Sequence, residues 1–265
     1  MLRRTANYRQ PGLPALNTPH HRFPAHTLSA MKLNDAIAFA GHQVHVARFR
    51  EAGTLLRWLG GDLRGKRVLD VAGGDGYWAG QARKRGAHAV SIDLARSKML
   101  FGKTLRHAPG LVECDALALP FEDGSFDAVM SVCAIEHFDD GARSLDEMAR
   151  VLAPGGQLVM SADVLSRSAQ WPKLRVAHCT KYHVQHTYTH ESLGKLLTER
   201  GIDLVDYSYQ FRSAPAERFY LSLSAYGGKM GVNAAAPLAP LVALSDRVSP
   251  NARGSIVLIN GRKRP

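Results

Sequence analysis

The chain has 265 residues, 45% hydrophobic and 22% charged, with a formal net charge of +11. That length can bury one sizeable core with decorations. Its three cysteines (Cys114, Cys133, Cys179) are too far apart for a disulfide framework or a zinc cage and suit a reducing compartment, while no apolar run approaches the roughly twenty residues of a bilayer span.

Residues 1–33 contain no acidic residue and carry Arg3, Arg4, Arg9, Arg22 and Lys32 among several prolines, so they read as a basic, disordered tail. His20, His21 and His26 fall there and carry no catalytic expectation. The folded domain is expected over 34–265, opening with a leading helical segment at 34–64. Ile37, Val44, Phe49 and Leu56 recur there at helical spacing.

An apolar run, Arg67 to Val71, then predicts a buried strand, followed by a glycine turn, a helix from Tyr77 to Arg85 and a second strand, His88 to Ile92, ending in Asp93. A helix near Arg96 to Leu105, a short strand to Cys114, a strand over Phe126–Val132, a helix over Gly141–Leu152 and a strand over Gln157–Ser161 continue the alternation. Such alternation argues for an α/β fold with a mainly parallel sheet and helices on both faces. Asp163 to Thr187 reads as long and irregular. Thr189 then caps a helix from His190 to Arg200, and strands are expected at Ile202–Tyr207 and Ser255–Ile259. Between these last two strands lies a largely apolar, helical insert at 210–253, ending in arginines. Arg262, Lys263 and Arg264 read as an unfolded basic end.

The stretch Val68-Leu69-Asp70-Val71-Ala72-Gly73-Gly74-Asp75-Gly76 concentrates the chemistry. A strand, glycine loop, helix, strand and acid in about thirty residues hold a ribose-bearing ligand at the carboxyl edge of a sheet. The glycines let the backbone approach the ligand, and Asp93 offers two acceptors to a ribose diol. The spacing is not that of a dinucleotide loop, and no phosphate loop is present. Asp70 and Asp75 suit a ligand carrying an ammonium and a sulfonium better than one carrying a pyrophosphate.

This segment resembles motif I of the class I S-adenosylmethionine-dependent methyltransferases, and the likeness runs from about Lys66 to Ala162. Cys114-Asp115-Ala116 looks like the family's segment after strand three. Asp123 to Val129 looks like the lead into strand four, Glu136-His137 like the acid-His pair after it, and Glu147 to Gly156 like the helix and Pro-Gly-Gly turn before strand five. The resemblance implies a Rossmann-like, seven-stranded sheet and S-adenosyl-L-methionine as cofactor. It assigns cofactor contacts to Asp70, Ala72, Gly73, Gly74, Gly76, Asp93, Leu94, Asp115, Ala116 and Cys133. Ala72 stands where the family has its first motif I glycine, and is expected to fit by keeping negative φ.

For a hydroxyl acceptor the protein must supply a base, and histidine is tuned for that near neutral pH. His137 leads by position, followed by His183 and His186; each is read as either a base or a pocket-shaping residue. His178 and His190 lie near His183 and His186 in sequence, but a metal is not expected, because beyond Cys179 no carboxylate or cysteine sits at a recognised ligand spacing with them. Cys133, flanked by Val132 and Ala134, reads as a small buried residue rather than a nucleophile.

The leading expectation is O-methylation of a small-molecule, glycan or lipid-linked acceptor by a cytoplasmic enzyme. The apolar insert allows peripheral contact with a membrane surface, or a cap over the substrate, or a contact between copies. An RNA methyltransferase is motivated by the charge alone, without an RNA-binding module. A non-enzymatic cofactor-binding or assembly protein of the same fold is the third reading.

Overall fold

The computed structural model describes residues 46–105, 110–227, 231 and 233–265. The expected basic tail at 1–33 and the first part of the leading helical segment lie outside them. Seven strands form one sheet in the order β3-β2-β1-β4-β5-β7-β6. They are β1 (Arg67–Val71), β2 (His88–Asp93), β3 (Leu111–Glu113), β4 (Phe126–Val132), β5 (Leu152–Asp163), β6 (Ile202–Gln210) and β7 (Ile256–Lys263). β1 pairs in parallel with both β2 and β4, whereas β7 runs antiparallel to β5 and β6. The strand order reverses between β1 and β4, which opens a crevice at their carboxyl ends.

Successive strand residues bury on opposite faces. Val68, Ala128, Met130, Val159 and Ile256 join one core, with α1 (Val46–Leu59) and α2 (Tyr77–Arg83) packed over it. Leu69, Val129, Leu158, Met160 and Val257 join the other core, under α4 (Gly141–Val151) and α6 (His190–Thr198). The remaining long helices are α3 (Arg96–Leu105), α5 (Pro172–Tyr182), α7 (Ala214–Ser222) and α8 (Ala239–Val248). Burial on both faces explains why the central strands read as unbroken apolar runs rather than as alternation. The caps are local: the Asp140 side chain accepts from Arg143 N, and Thr189 forms a capping box with Ser192.

Several expectations are corrected. The segment expected to be irregular after β5 contains α5, started by Pro172 with its pre-set φ. Its period was hidden because Val176 is exposed and the buried position is a histidine, His178. β5 starts at Leu152, ahead of the Pro-Gly-Gly turn, with a register shift between Phe126 and Ala128 of its partner. The C-terminal basic run is ordered strand: Lys263 Nζ donates to the carbonyls of Ala149 and Leu152, and Arg264 pairs with Asp203.

The glycine loop carries another correction. Ala72 has φ +55°, in the left-handed region and not the expected negative one. Gly73 is required by close approach, because a Cβ there would lie 2.1 Å from Asp70 Oδ2 and 2.2 Å from Ser91 Oγ. Replacing Ala72 by glycine relieves about 1–2 kcal/mol of strain against an added unfolded-chain entropy of about 0.5–1 kcal/mol. Ala72→Gly is therefore expected to raise the thermal midpoint by about 2 °C. Gly73→Ala should instead destabilise by about 1–3 kcal/mol through overpacking. Thermal melts of the ligand-free variants check both signs.

Candidate functional site

The loop between β1 and α2 is pinned from below. Gly73 N donates to Ile92 O at 2.9 Å and Gly74 N to Asp93 Oδ2 at 2.8 Å. Gly74 and Gly76 both have positive φ, and Gly76 turns the chain into α2. Asp93 is buried; its Oδ1 accepts from Ala95 N at 2.6 Å. One bond per oxygen leaves both oxygens a further acceptor site, as a ribose diol requires. Next to it Leu94 presents an apolar side chain, 64% exposed, at the edge of the sheet. Asp115 is exposed after β3, with Oδ1 held by Leu117 N, and Ala116 is buried beside it. Burial, and then the nearby Asp115 and Asp93, push the Cys114 thiol up to about 12.

Asp70 lies fully buried beneath the loop. Its Oδ2 accepts from Ala79 N and Ser91 Oγ, while its Oδ1 has no partner. Burial drives its pKa up to about 7 against the two hydrogen bonds, with Asp75 and Asp93 adding to the rise. An orphaned carboxylate oxygen fits a ligand that brings a cationic donor, and the remaining residues fit a ribose and a flat apolar ring. The residues present therefore fit S-adenosylmethionine.

A small cavity, of about 80 Å³, opens beyond β4 and β5. Cys133, directly after β4, has φ +46°, so both central strands end in a strained non-glycine residue at this edge. The Cys133 thiol donates to Glu51 Oε1, and burial holds its pKa well above the ordinary value, so it stays a thiol. Glu51 comes from α1, fully buried, and also accepts from Ser161 Oγ and Arg48 Nη1. Burial pulls the Arg48 pKa down, but Cys133, Glu51, Tyr220 and Glu136 outweigh it and leave the guanidinium above its ordinary value.

His137 lines this cavity and is about one-third exposed. Its Nδ1 lies 3.3 Å from the carbonyl of His183 and must donate to it, leaving the Nε2 lone pair free in the neutral ring. Burial lowers its pKa, so the neutral form dominates at pH 7. His183 closes α5 in a left-handed conformation and reaches the site through its backbone alone. His186 N donates to Glu136 O, while its ring is exposed beside Tyr188. Neither the His183 nor the His186 side chain lines the cavity.

Sequence reasoning missed the cavity's other polar groups. Asp163 Oδ2 meets His178 Nε2 at 2.8 Å, and His178 Nδ1 meets Ser224 Oγ at 2.7 Å. Ser224 sits in the insert and His178 in the unforeseen α5, so no local spacing could reveal the chain. Among the described residues no group of three His, Cys, Asp or Glu is arranged to hold a metal.

Residues 69–160 match the family model of the methyltransferase domain. The chain is 40% identical over 125 residues to a demethylmenaquinone methyltransferase of Thermus thermophilus, covering 43% of this chain and 57% of that one. It is 36% identical over 115 residues to a malonyl-[acyl-carrier protein] O-methyltransferase of Erwinia billingiae, covering 42% and 46%. The chain thus spans about half the length of the curated relatives it matches. An S-adenosylmethionine-dependent methyltransferase structure from Mesorhizobium loti superposes with TM-score 0.58 at 17% identity, covering 82% of this chain and all of that one; it shares the fold.

The Asp70 geometry fixes a pH dependence. A folded pKa near 7 against an ordinary 3.8 gives stabilisation that is complete below about pH 4 and lost as pH rises through 7. The full span is on the order of 4 kcal/mol for a buried carboxylate. Asp70→Asn keeps an acceptor for Ala79 and Ser91, so its ligand-free stability should lose this dependence and exceed wild type at pH 8. Denaturant titrations at pH 5 and pH 8 measure it; an equal wild-type-to-variant difference at both would reject the buried charge.

Proposed function

We propose that the chain is an enzyme of the class I S-adenosylmethionine-dependent methyltransferase superfamily, transferring a methyl group to an oxygen of a small-molecule or lipid-linked acceptor. Bound S-adenosylmethionine supplies a methyl carbon already activated on a sulfonium, which leaves as a neutral thioether when the acceptor bonds to that carbon. The protein's tasks are therefore placement, exclusion of water and removal of one proton. Asp93 would hold the ribose, Asp115 and Leu94 the adenine, and Asp70 the ammonium, over Gly73, Gly74 and Gly76. His137 would take the hydroxyl proton at Nε2. The observation that carries this reading is the pairing of the fitted loop with a neutral, tautomer-fixed imidazole on the adjacent strand end. The relatives' names, a demethylmenaquinone methyltransferase and a malonyl-[acyl-carrier protein] O-methyltransferase, support small-molecule or carrier-linked acceptors.

Two apolar features support a greasy acceptor. A groove of about 510 Å³ runs between Trp171 and α7, floored by Pro215 and Phe219. Leu238, Leu241, Leu244 and Val248 stand exposed at helical spacing along α8 and the turn before it. No described helix is long and apolar enough to cross a membrane. The stripe instead suits a helix lying on a lipid surface, with Arg247 beside it.

Calorimetric titration with S-adenosylmethionine tests the cofactor assignment. Asp93→Ala should weaken binding about 10- to 100-fold, as expected for lost hydrogen bonds to a charged acceptor, and Asp115→Ala about 3- to 10-fold. Unchanged affinity in both would remove the site. Sedimentation with vesicles containing anionic lipid tests the surface: wild type should co-sediment, and Leu241→Glu with Leu244→Glu should remain in the supernatant. Failure of wild type to sediment would assign the stripe elsewhere.

A further inference from the structure

Among the described residues, Glu136 is the one carboxyl group lining the small cavity that has no counter-ion of its own. Glu51 is engaged by Arg48, Ser161 and Cys133, and Asp163 by His178. Glu136 is 1% exposed, its Oε2 has no hydrogen-bond partner, and its Oε1 stands 4.0 Å from His137 Nε2. That separation is too long for a hydrogen bond and short enough for one incoming atom to touch both groups.

The neighbours decide what Glu136 carries. From α1 it faces Arg48, already held at 3.0 Å by Glu51, and from the end of β5 it faces Asp163. The Ser224 hydroxyl donates to the Leu221 carbonyl, so His178 Nδ1–H donates to Ser224 Oγ. His178 Nε2 is engaged by Asp163 Oδ2, so neither ring nitrogen keeps a lone pair for a substrate. His178 is thus a positioning residue that fixes Asp163 next to Glu136. Tyr182 and Tyr220, tilted against His178 with ring centroids 5.1 and 5.8 Å away, wall the cavity with aromatic faces.

We propose that Glu136 is an acceptor-binding residue that keeps its proton and donates it in a hydrogen bond to the acceptor oxygen, so that with His137 it selects a neutral hydroxyl, phenolic or alcoholic, over an amine or ammonium. The inference rests on the methyl-transfer reading and names the acceptor class for it. A hydroxyl oxygen between the two groups would receive the Glu136 hydrogen bond on one lone pair, give its proton to His137 Nε2, and keep its other lone pair for the methyl carbon. Glu136 ends the reaction with the proton it began with. Burial, and then the Asp163 charge, hold its pKa well above the usual carboxylate range, consistent with a neutral donor. An ammonium would meet a neutral acid and an already paired guanidinium, and would pay its desolvation without a counter-ion. The cavity has room for about two or three water volumes, at roughly 30 Å³ each. It therefore takes only the reacting end of the acceptor.

The test reads Glu136 directly and needs no known substrate. Infrared difference spectra of wild type against Glu136→Gln at pH 7 should show a buried carboxylic-acid carbonyl band, absent in the variant. In Asp163→Asn the midpoint of that band should move to lower pH, which a purely structural Asp163 would not cause. With S-adenosylhomocysteine present, phenol should bind by titration while methylammonium does not. Glu136→Gln, which retains a donor, should keep phenol affinity within about threefold, and Glu136→Leu should lose tenfold or more. No acid band in wild type, or methylammonium bound in preference to phenol, overturns the proposal. If neither probe binds, the band alone decides. S-adenosylmethionine affinity is measured separately, so loss of the methyl-transfer reading and loss of this one remain distinguishable.

Discussion

The burial of carboxyl groups at the carboxyl edge of the sheet is the constraint that the surrounding structure answers to. Asp70, Asp93, Glu51, Glu136 and Asp163 are all buried there, where an unpaired carboxylate is expensive. Four of them are met by three devices. Backbone amides of Gly74 and Ala95 hold Asp93 and that of Ala79 in α2 holds Asp70, Arg48 from the leading helix holds Glu51, and a histidine from α5 holds Asp163. Among the described residues, Asp70 Oδ1 and Glu136 Oε2 are left without partners. In this account the Asp70 and Glu136 carboxyl groups are contact points for ligands, one for each reactant.

The same edge also concentrates backbone strain. Ala72 and Cys133 follow directly on β1 and β4 and both sit at positive φ without being glycine. Such residues persist where the surroundings over-determine them. Gly73 and Asp70 lock the first, and Ser161 locks the second by accepting the Cys133 N–H at its carbonyl and its hydroxyl. The loop and the cavity are therefore rigid neighbours on adjacent strands, which is what an in-line transfer between two bound partners needs.

Much of this was legible in the sequence, for a physical reason. Strand, glycine loop, helix and acid are local features whose spacing is fixed by covalent geometry, so the run from Lys66 to Ala162 announced the sheet and the loop on which the proposed cofactor contacts stand. The small cavity was not legible because its polar groups come from four separate places: Glu51 in the leading helix, Asp163 at the end of β5, His178 in α5 and Ser224 in the insert. His178 was visible as a histidine, but only tertiary packing aims it at Asp163. α5 itself was hidden because its buried position is a polar residue and one of its apolar residues faces solvent. Ala72 misled for a related reason: an alanine at positive φ leaves no mark in sequence.

The central claim is that the loop and the cavity together move a methyl group onto an acceptor oxygen. Incubating the protein with tritiated-methyl S-adenosylmethionine and an extract of its source cells, then partitioning the products, tests it most directly. Label is expected in the organic-soluble or small-molecule fraction, stable to mild acid and base as an ether, and absent with His137→Ala. Tight cofactor binding with no label in any fraction, or label confined to nucleic acid, would contradict it.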